Sequence, residues 1–314
     1  MNETTVLVVI SLVVIMVISN VAVSLVSEHR NPPVGKFLVC EGVRLHYIER
    51  GQSGRPCAVL FHGNGSILQD LTLSGLVDLL ARDNHVICFD RPGFGHSQRP
   101  RLRLFTASAQ AELFAKALTQ LGVRDPVVFG HSWGTLVAIA LSLRTDYQIR
   151  GLVLASGYYF PTARLDVWMM SGPAIPIIGD LLRYTVAPVI SWAILPGAFR
   201  KLFSPRDVPL EFKNEFPASL TLRPKQLRAA AEESALLLPT AMQFQAAYGS
   251  IPCSIRIFHG REDQIIDYKQ AERLQSVTRG RARITLVENA GHMVTYASTK
   301  EIAEAMKIPV DLNP

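Results

Sequence analysis

From Val6 to Val26 the chain carries no charged residue and few polar ones, and after Pro32-Pro33 the pattern changes abruptly. Apolar runs of four or five residues then alternate with longer stretches in which apolar positions recur at helical spacing. The short runs, Cys57 to Phe61, Val86 to Phe89, Ile255 to Phe258 and Ile284 to Val287, read as buried strands. Thr106 to Leu121 and Gly134 to Leu143 read as helices. Such alternation predicts a mostly parallel sheet with helices on both faces.

The alternation stops after Ile149 to Tyr159, which reads as a strand and its exit. From 160 to 250 come helix-like segments and prolines but no convincing strand, which predicts a helical cap inserted into a domain running from 34 to 314. The cap is unusually apolar, with Val167-Trp168-Met169-Met170, Ala174 to Ile178 and Val189 to Leu195. Taken singly, each of these side chains is expected to pack between cap and core. Taken together they point to an apolar acyl pocket, one that could touch lipid.

As a helix, Val6 to Val26 would be about 30 Å long, the thickness of a bilayer core. Residues 1–30 are therefore read as a transmembrane anchor. A secretory signal peptide is the rival reading, favoured by the small residues Ala22-Val23-Ser24 and opposed by the lack of Lys or Arg in Met1 to Thr5. The apolar stretch is also longer than a signal peptide needs. Ser27 to Gly35 would be a short linker, and Arg30 and Lys36 after the span place the following domain on the cytoplasmic side, with export as the alternative.

A length of 314 residues suits one large α/β domain with an insertion. The net charge of +6 suits anionic lipid headgroups, and Arg99, Arg101 and Arg103 cluster, although a solvated basic surface is the simpler expectation. No nucleic-acid module, metal-ligand spacing or nucleotide fingerprint is present, so no cofactor and no nucleic-acid partner are expected. Oligomeric state is left open. Cys57 and Cys88 fall in predicted core strands, and four cysteines make no dense disulfide framework.

The chemistry concentrates at strand ends. Gly130-His131-Ser132-Trp133-Gly134 is a Gly-x-Ser-x-Gly pentapeptide between an apolar strand and a helix, where a serine would be held exposed at a sharp turn. A chance match on an ordinary loop is the bland alternative. A serine hydroxyl needs a base, and the base an orienting carboxylate, in the order serine, acid, histidine. Asp263 follows one strand run and His292 the next. Glu262 or Asp267 are rivals for the acid, while His96 and His259 also occupy strand-end loops. His62-Gly63-Asn64-Gly65 would bring backbone amides to a reacting carbonyl, so the amides of Asn64 and Trp133 are the expected oxyanion hole. Asp90, in Asp90-Arg91-Pro92-Gly93-Phe94-Gly95-His96-Ser97, reads as a brace for its own turn.

With these motifs in this order, from about Val34 to the C-terminus, the chain resembles the α/β-hydrolase family. The resemblance implies an α/β-hydrolase fold, a Ser132–Asp263–His292 triad and an oxyanion hole at Asn64 and Trp133. It is nearest the lidded serine esterase, haloperoxidase-like and carbon–carbon bond hydrolase branches. Related dehalogenases and epoxide hydrolases carry an aspartate nucleophile, against which Ser132 argues. The HGGG loop of many lipases is HGNG here. The expected substrate is a small-molecule or lipid-like ester with an apolar acyl part, met at a membrane through the N-terminal helix.

Overall fold

The computed structural model describes residues 2–307. Eight strands form one sheet in the order β1-β2-β4-β3-β5-β6-β7-β8. They are β1 (Lys36–Cys40), β2 (Val43–Arg50), β3 (Cys57–Phe61), β4 (His85–Phe89), β5 (Val127–His131), β6 (Gly151–Ala155), β7 (Ser254–Gly260) and β8 (Ala282–Val287). From β4 to β8 all neighbours are parallel, whereas β1 and β2 pair antiparallel at one edge. That hairpin turns at Glu41-Gly42, both at positive φ (51° and 72°), between the paired Cys40 and Val43. Such a two-residue turn matches the twist of the strands it joins.

Helices cover both faces. Leu113 and Phe114 of α4 (Ala107–Gln120), Val137 and Leu141 of α5 (Gly134–Ser142) and Leu274 of α12 (Lys269–Val277) belong to the core on one face. Thr106 starts α4 by accepting the Ala109 amide on its hydroxyl at 3.1 Å. On the other face lie Leu71 of α2 (Leu68–Leu73), Leu80 of α3 (Leu76–Ala81) and Ile302 of α14 (Thr299–Lys307), with the short α13 (Val294–Ala297) leading into α14.

Between β6 and β7 the chain is helical: α6 (Leu165–Met170), α7 (Ile178–Tyr184), α8 (Val186–Phe203), α9 (Leu210–Glu215), α10 (Ala218–Thr221) and α11 (Pro224–Phe244). A third apolar cluster, with Phe94, Phe203, Phe212, Phe216 and Met293, joins these helices to the strand-end loops. The apolar runs of α6, α7 and α8 correct the cap-to-core expectation. Trp168, Met169, Ile177, Ile190, Trp192 and Ile194 are exposed rather than packed inward.

The N-terminal helix α1 (Glu3–Arg30) is long and apolar enough to cross a membrane, as is α8 by the same measure. Ser27 to Arg30 were expected in a linker but continue this helix. Ser27 is buried, its hydroxyl 2.8 Å from that of Ser219, so contact with the insertion prolongs the helix beyond the apolar stretch.

Candidate active site

β3 and β5 lie side by side, while the chain leaves β3 for β4 on the opposite flank. A crevice forms outside the carboxyl ends of parallel strands at such a switch point. The loops after β3 and β5 carry Asn64 and Ser132. Ser132 has φ 52°, a left-handed conformation that costs a non-glycine residue about 1 kcal/mol. Its neighbours make the turn sterically possible. A Cβ on Gly130 would lie 2.5 Å from the Gly134 carbonyl oxygen, and one on Gly134 would lie 2.5 Å from that of Phe61.

The structure brings Ser132, His292 and Asp263 together from three loops. Asp263 can only accept when ionised, so His292 Nδ1–H donates to its Oδ2 at 2.9 Å. That leaves His292 Nε2 to accept the Ser132 hydroxyl at 3.0 Å. The other Asp263 oxygen accepts the amides of Ile265 and Ile266 at 2.8 and 3.0 Å. Burial alone would raise the Asp263 carboxyl, but the His292 and His259 imidazoles outweigh it and hold it far below the usual carboxylate range. His259 Nε2 lies 3.2 Å from Asp263 Oδ2 and donates to the Ile266 carbonyl at 2.9 Å. His259, which lies within β7 rather than in a loop, thus flanks the carboxylate, while the Ser132 hydroxyl is bonded to His292.

Glu262 and Asp267 stand elsewhere. Glu262 accepts the Ala290 amide at 3.0 Å, and Asp267 accepts that of Lys269 at 2.9 Å at the start of α12. His96 faces the Asn31 carbonyl. Asp90 braces its turn, accepting from Leu68 and His96 amides and, at 2.6 Å, from His46 Nδ1.

The HGNG loop packs directly on the serine, since a Cβ on Gly63 would lie 3.1 Å from the Ser132 Cβ. Among the described residues, neither the backbone N–H of Asn64 nor that of Trp133 donates to a protein acceptor. The loop is held from beneath by Arg91, which donates to the carbonyls of His62 and Gly63 at 2.8 and 2.9 Å. The same guanidinium pairs in bidentate fashion with Glu233 of α11, both side chains fully buried. α11 adds three more ties. The Trp133 indole donates to the Glu233 carbonyl at 3.0 Å, and the Asn64 amide group to Ala230 O and Ser234 Oγ at 3.1 and 3.2 Å. Sequence reasoning missed this pair, because 142 positions separate Arg91 from Glu233 and no local pattern joins them.

A sequence profile described as the alpha/beta hydrolase family matches residues 58–305, which takes in every residue of this site. The chain belongs to that family. This hydrolase is 26% identical to a 2-hydroxymuconate semialdehyde hydrolase of Pseudomonas sp. (strain CF600), over 85% of this chain and 90% of that one. It is 24% identical to a monoacylglycerol lipase of Xenopus laevis, over 83% and 77% of the two chains. In fold it resembles a crystal structure of a membrane phospholipase A described as a bacterial virulence factor, with TM-score 0.67, 21% identity and coverage of 98% and 96%.

The hydrolase also buries two neutral histidines around the serine loop. His62 Nδ1–H donates to Gly63 O while Nε2 accepts the Arg91 amide, and burial, with Arg91 beside it, lowers its pKa to about 3. His131 Nε2–H donates to the His292 carbonyl at 3.0 Å, and burial, with the His292 ring beside it, lowers its pKa likewise to about 3. An unfolded histidine titrates near 6.5, so below that pH the unfolded chain takes up protons that the folded one refuses. Each histidine then withdraws about 1.4 kcal/mol of stability per pH unit as pH falls. Asp70 acts oppositely: burial raises it to about 6, so below that pH it gains protons on folding and offsets one histidine. The expected net result is a falling unfolding midpoint between pH 6.5 and 4, read by thermal melts in detergent. A midpoint constant across that range would contradict the neutral burial of both rings.

Proposed function

We propose that this alpha/beta hydrolase is a membrane-anchored serine hydrolase that cleaves a carboxylic ester with an apolar acyl part. The observation that carries the reading is the continuous hydrogen-bonded path from Ser132 through His292 to Asp263, beside which the backbone amides of Asn64 and Trp133 have no protein acceptor among the described residues. Ser132 Oγ attacks the ester carbonyl while His292 Nε2 takes its proton. Asp263 holds the ring in the Nδ1–H tautomer and stabilises the imidazolium. The amides of Asn64 and Trp133 receive the oxyanion, a contribution of about two to three powers of ten per donor. His292 then protonates the leaving alcohol, and a water, deprotonated by the same ring, releases the acid.

The apolar acyl preference is supported by the aromatic cluster of Phe203, Phe212 and Phe216 that reaches Met293, next to His292. In this reading α1 is an uncleaved anchor, with the 160–250 insertion as the cap, and Arg30 and Lys36 keep the catalytic domain on the cytoplasmic side. The test is labelling of the membrane-bound protein with a fluorophosphonate probe, followed by a panel of esters, amides and β-diketones. Rapid labelling with fastest turnover of long-chain esters is expected. Folded protein that resists the probe, or that prefers β-diketones, overturns the ester assignment.

A further inference from the structure

Asn20 interrupts the apolar stretch of α1 about 9 Å short of its C-terminal end at Val26. Its amide group donates to the carbonyls of Tyr184 and Thr185, at 2.9 and 2.8 Å, where α7 gives way to α8. Val13, Met16, Val17, Asn20, Ser24 and Ser27 form the half-buried to buried stripe of α1, at helical spacing. Ser27 and Asn20 show that this stripe faces the insertion. Val13 lies about 10 Å further along the helix than Asn20, toward its N-terminus. If Val6 to Val26 sits in a bilayer, the α7–α8 junction beside Asn20 sits inside it too.

The surface around that junction suits such a place. Between Asp166 and Asp180, and again from Val186 to Phe199, no residue is charged. The outward side chains include Trp168 (80% exposed), Ile177 (82%), Ile190 and Trp192 (71%). Arg101 pairs with Asp180 of α7 at 2.5 Å, and the loop it begins exposes Leu102 and Leu104 on either side of Arg103. Arg200 and Lys201 close α8 where its apolar run stops. Arginine and lysine at such a boundary keep their charge at headgroup level while their stems lie along apolar surface. The two carbonyls at the α7–α8 junction, costly if left bare in lipid, find their donor in Asn20.

We infer that α6, α7 and α8 are embedded in the same bilayer leaflet that α1 leaves, forming an in-plane membrane surface beside the anchor. α8 does not continue across. Phe203 at its end is buried, and the Leu202 carbonyl accepts the Met293 amide at 3.2 Å. Trp192 also lines a cavity of about 800 Å³ whose walls include Phe199, Phe212, Arg200 and Lys213. The embedded surface therefore adjoins a space suited to an acyl chain with an anionic head. The inference rests on α1 being a membrane helix and extends the proposed function by making the bilayer the source of substrate.

The test reconstitutes the full chain in phosphatidylcholine vesicles whose acyl chains carry bromine, a short-range quencher of tryptophan emission. The chain holds three tryptophans, of which Trp133 is buried in the site and serves as the reference. The wild type is expected to lose emission to brominated chains, and Trp168→Phe with Trp192→Phe to lose most of that quenching. Each single substitution should remove part of it, which guards against a misfolded double variant. Ser132→Ala should quench like wild type, because the signal needs no turnover, so failure of the hydrolase reading would appear separately. Quenching of both tryptophans by aqueous acrylamide but not by bromine would overturn the inference. Protection from both quenchers, with cross-linking to a second copy, would overturn it in favour of a protein interface. Failure of the chain to float with vesicles would remove its premise and overturn it as well.

Discussion

Ser132→Ala is expected to leave a folded protein and to lower turnover about a millionfold, as loss of an activated serine does elsewhere. Asp263→Asn should lower kcat about ten-thousand-fold by favouring the wrong imidazole tautomer, with smaller change in KM. The ordering follows from the geometry. In the proposed mechanism Ser132 supplies the reacting atom, whereas Asp263, hydrogen-bonded to His292 Nδ1, acts only through that ring. Steady-state kinetics on a long-chain ester, with circular dichroism to check folding, measures both. A Ser132→Ala protein that keeps more than a few per cent of activity would mean that the chemistry lies elsewhere.

The largest effect on stability is expected at Arg91 and Glu233. Removing one member of a buried ion pair leaves its partner charged without compensation, at a cost of about 3–5 kcal/mol. Arg91→Met should therefore lower the unfolding midpoint sharply, and Glu233→Met should do the same. The double replacement should recover much of the loss, because two apolar side chains need no partner. Arg91→Met should in addition slow probe labelling, since the carbonyls of His62 and Gly63 lose their donor and the HGNG loop is no longer fixed. Denaturant titration of the three variants decides it. Additive losses in the double variant would mean that the two side chains act independently.

The central parallel strands β3, β4, β5 and β6 could be read because they are buried on both faces and so appear as apolar runs, while β7 and the edge strand β8 kept enough apolar residues around Arg256 and Thr285 to be read as well. Ser132, Asp263 and His292 could be picked out for a related reason, as each lies in the loop just past such a run. The β1–β2 hairpin escaped notice. Its turn is Glu41-Gly42 rather than a stronger Asn-Gly signal, and its strands are only partly buried. Two features of the site were beyond local pattern. His259 stands close to Asp263, and only three-dimensional geometry shows that it bonds the Ile266 carbonyl while His292 bonds Ser132. The exposure of Trp168 and Trp192 was equally hidden, because an apolar run looks the same whether it meets a core or a bilayer.

The ties of α11 to the core have a consequence for how anything reaches Ser132. Four contacts, one of them a fully buried ion pair, bolt this helix to Arg91, Trp133 and Asn64. Parting them would cost enough that fewer than about one molecule in a hundred would stand open at that side. α11 is a fixed post. A doorway is therefore expected away from α11, on the flank of α6 to α8, where fewer polar contacts join helix to core.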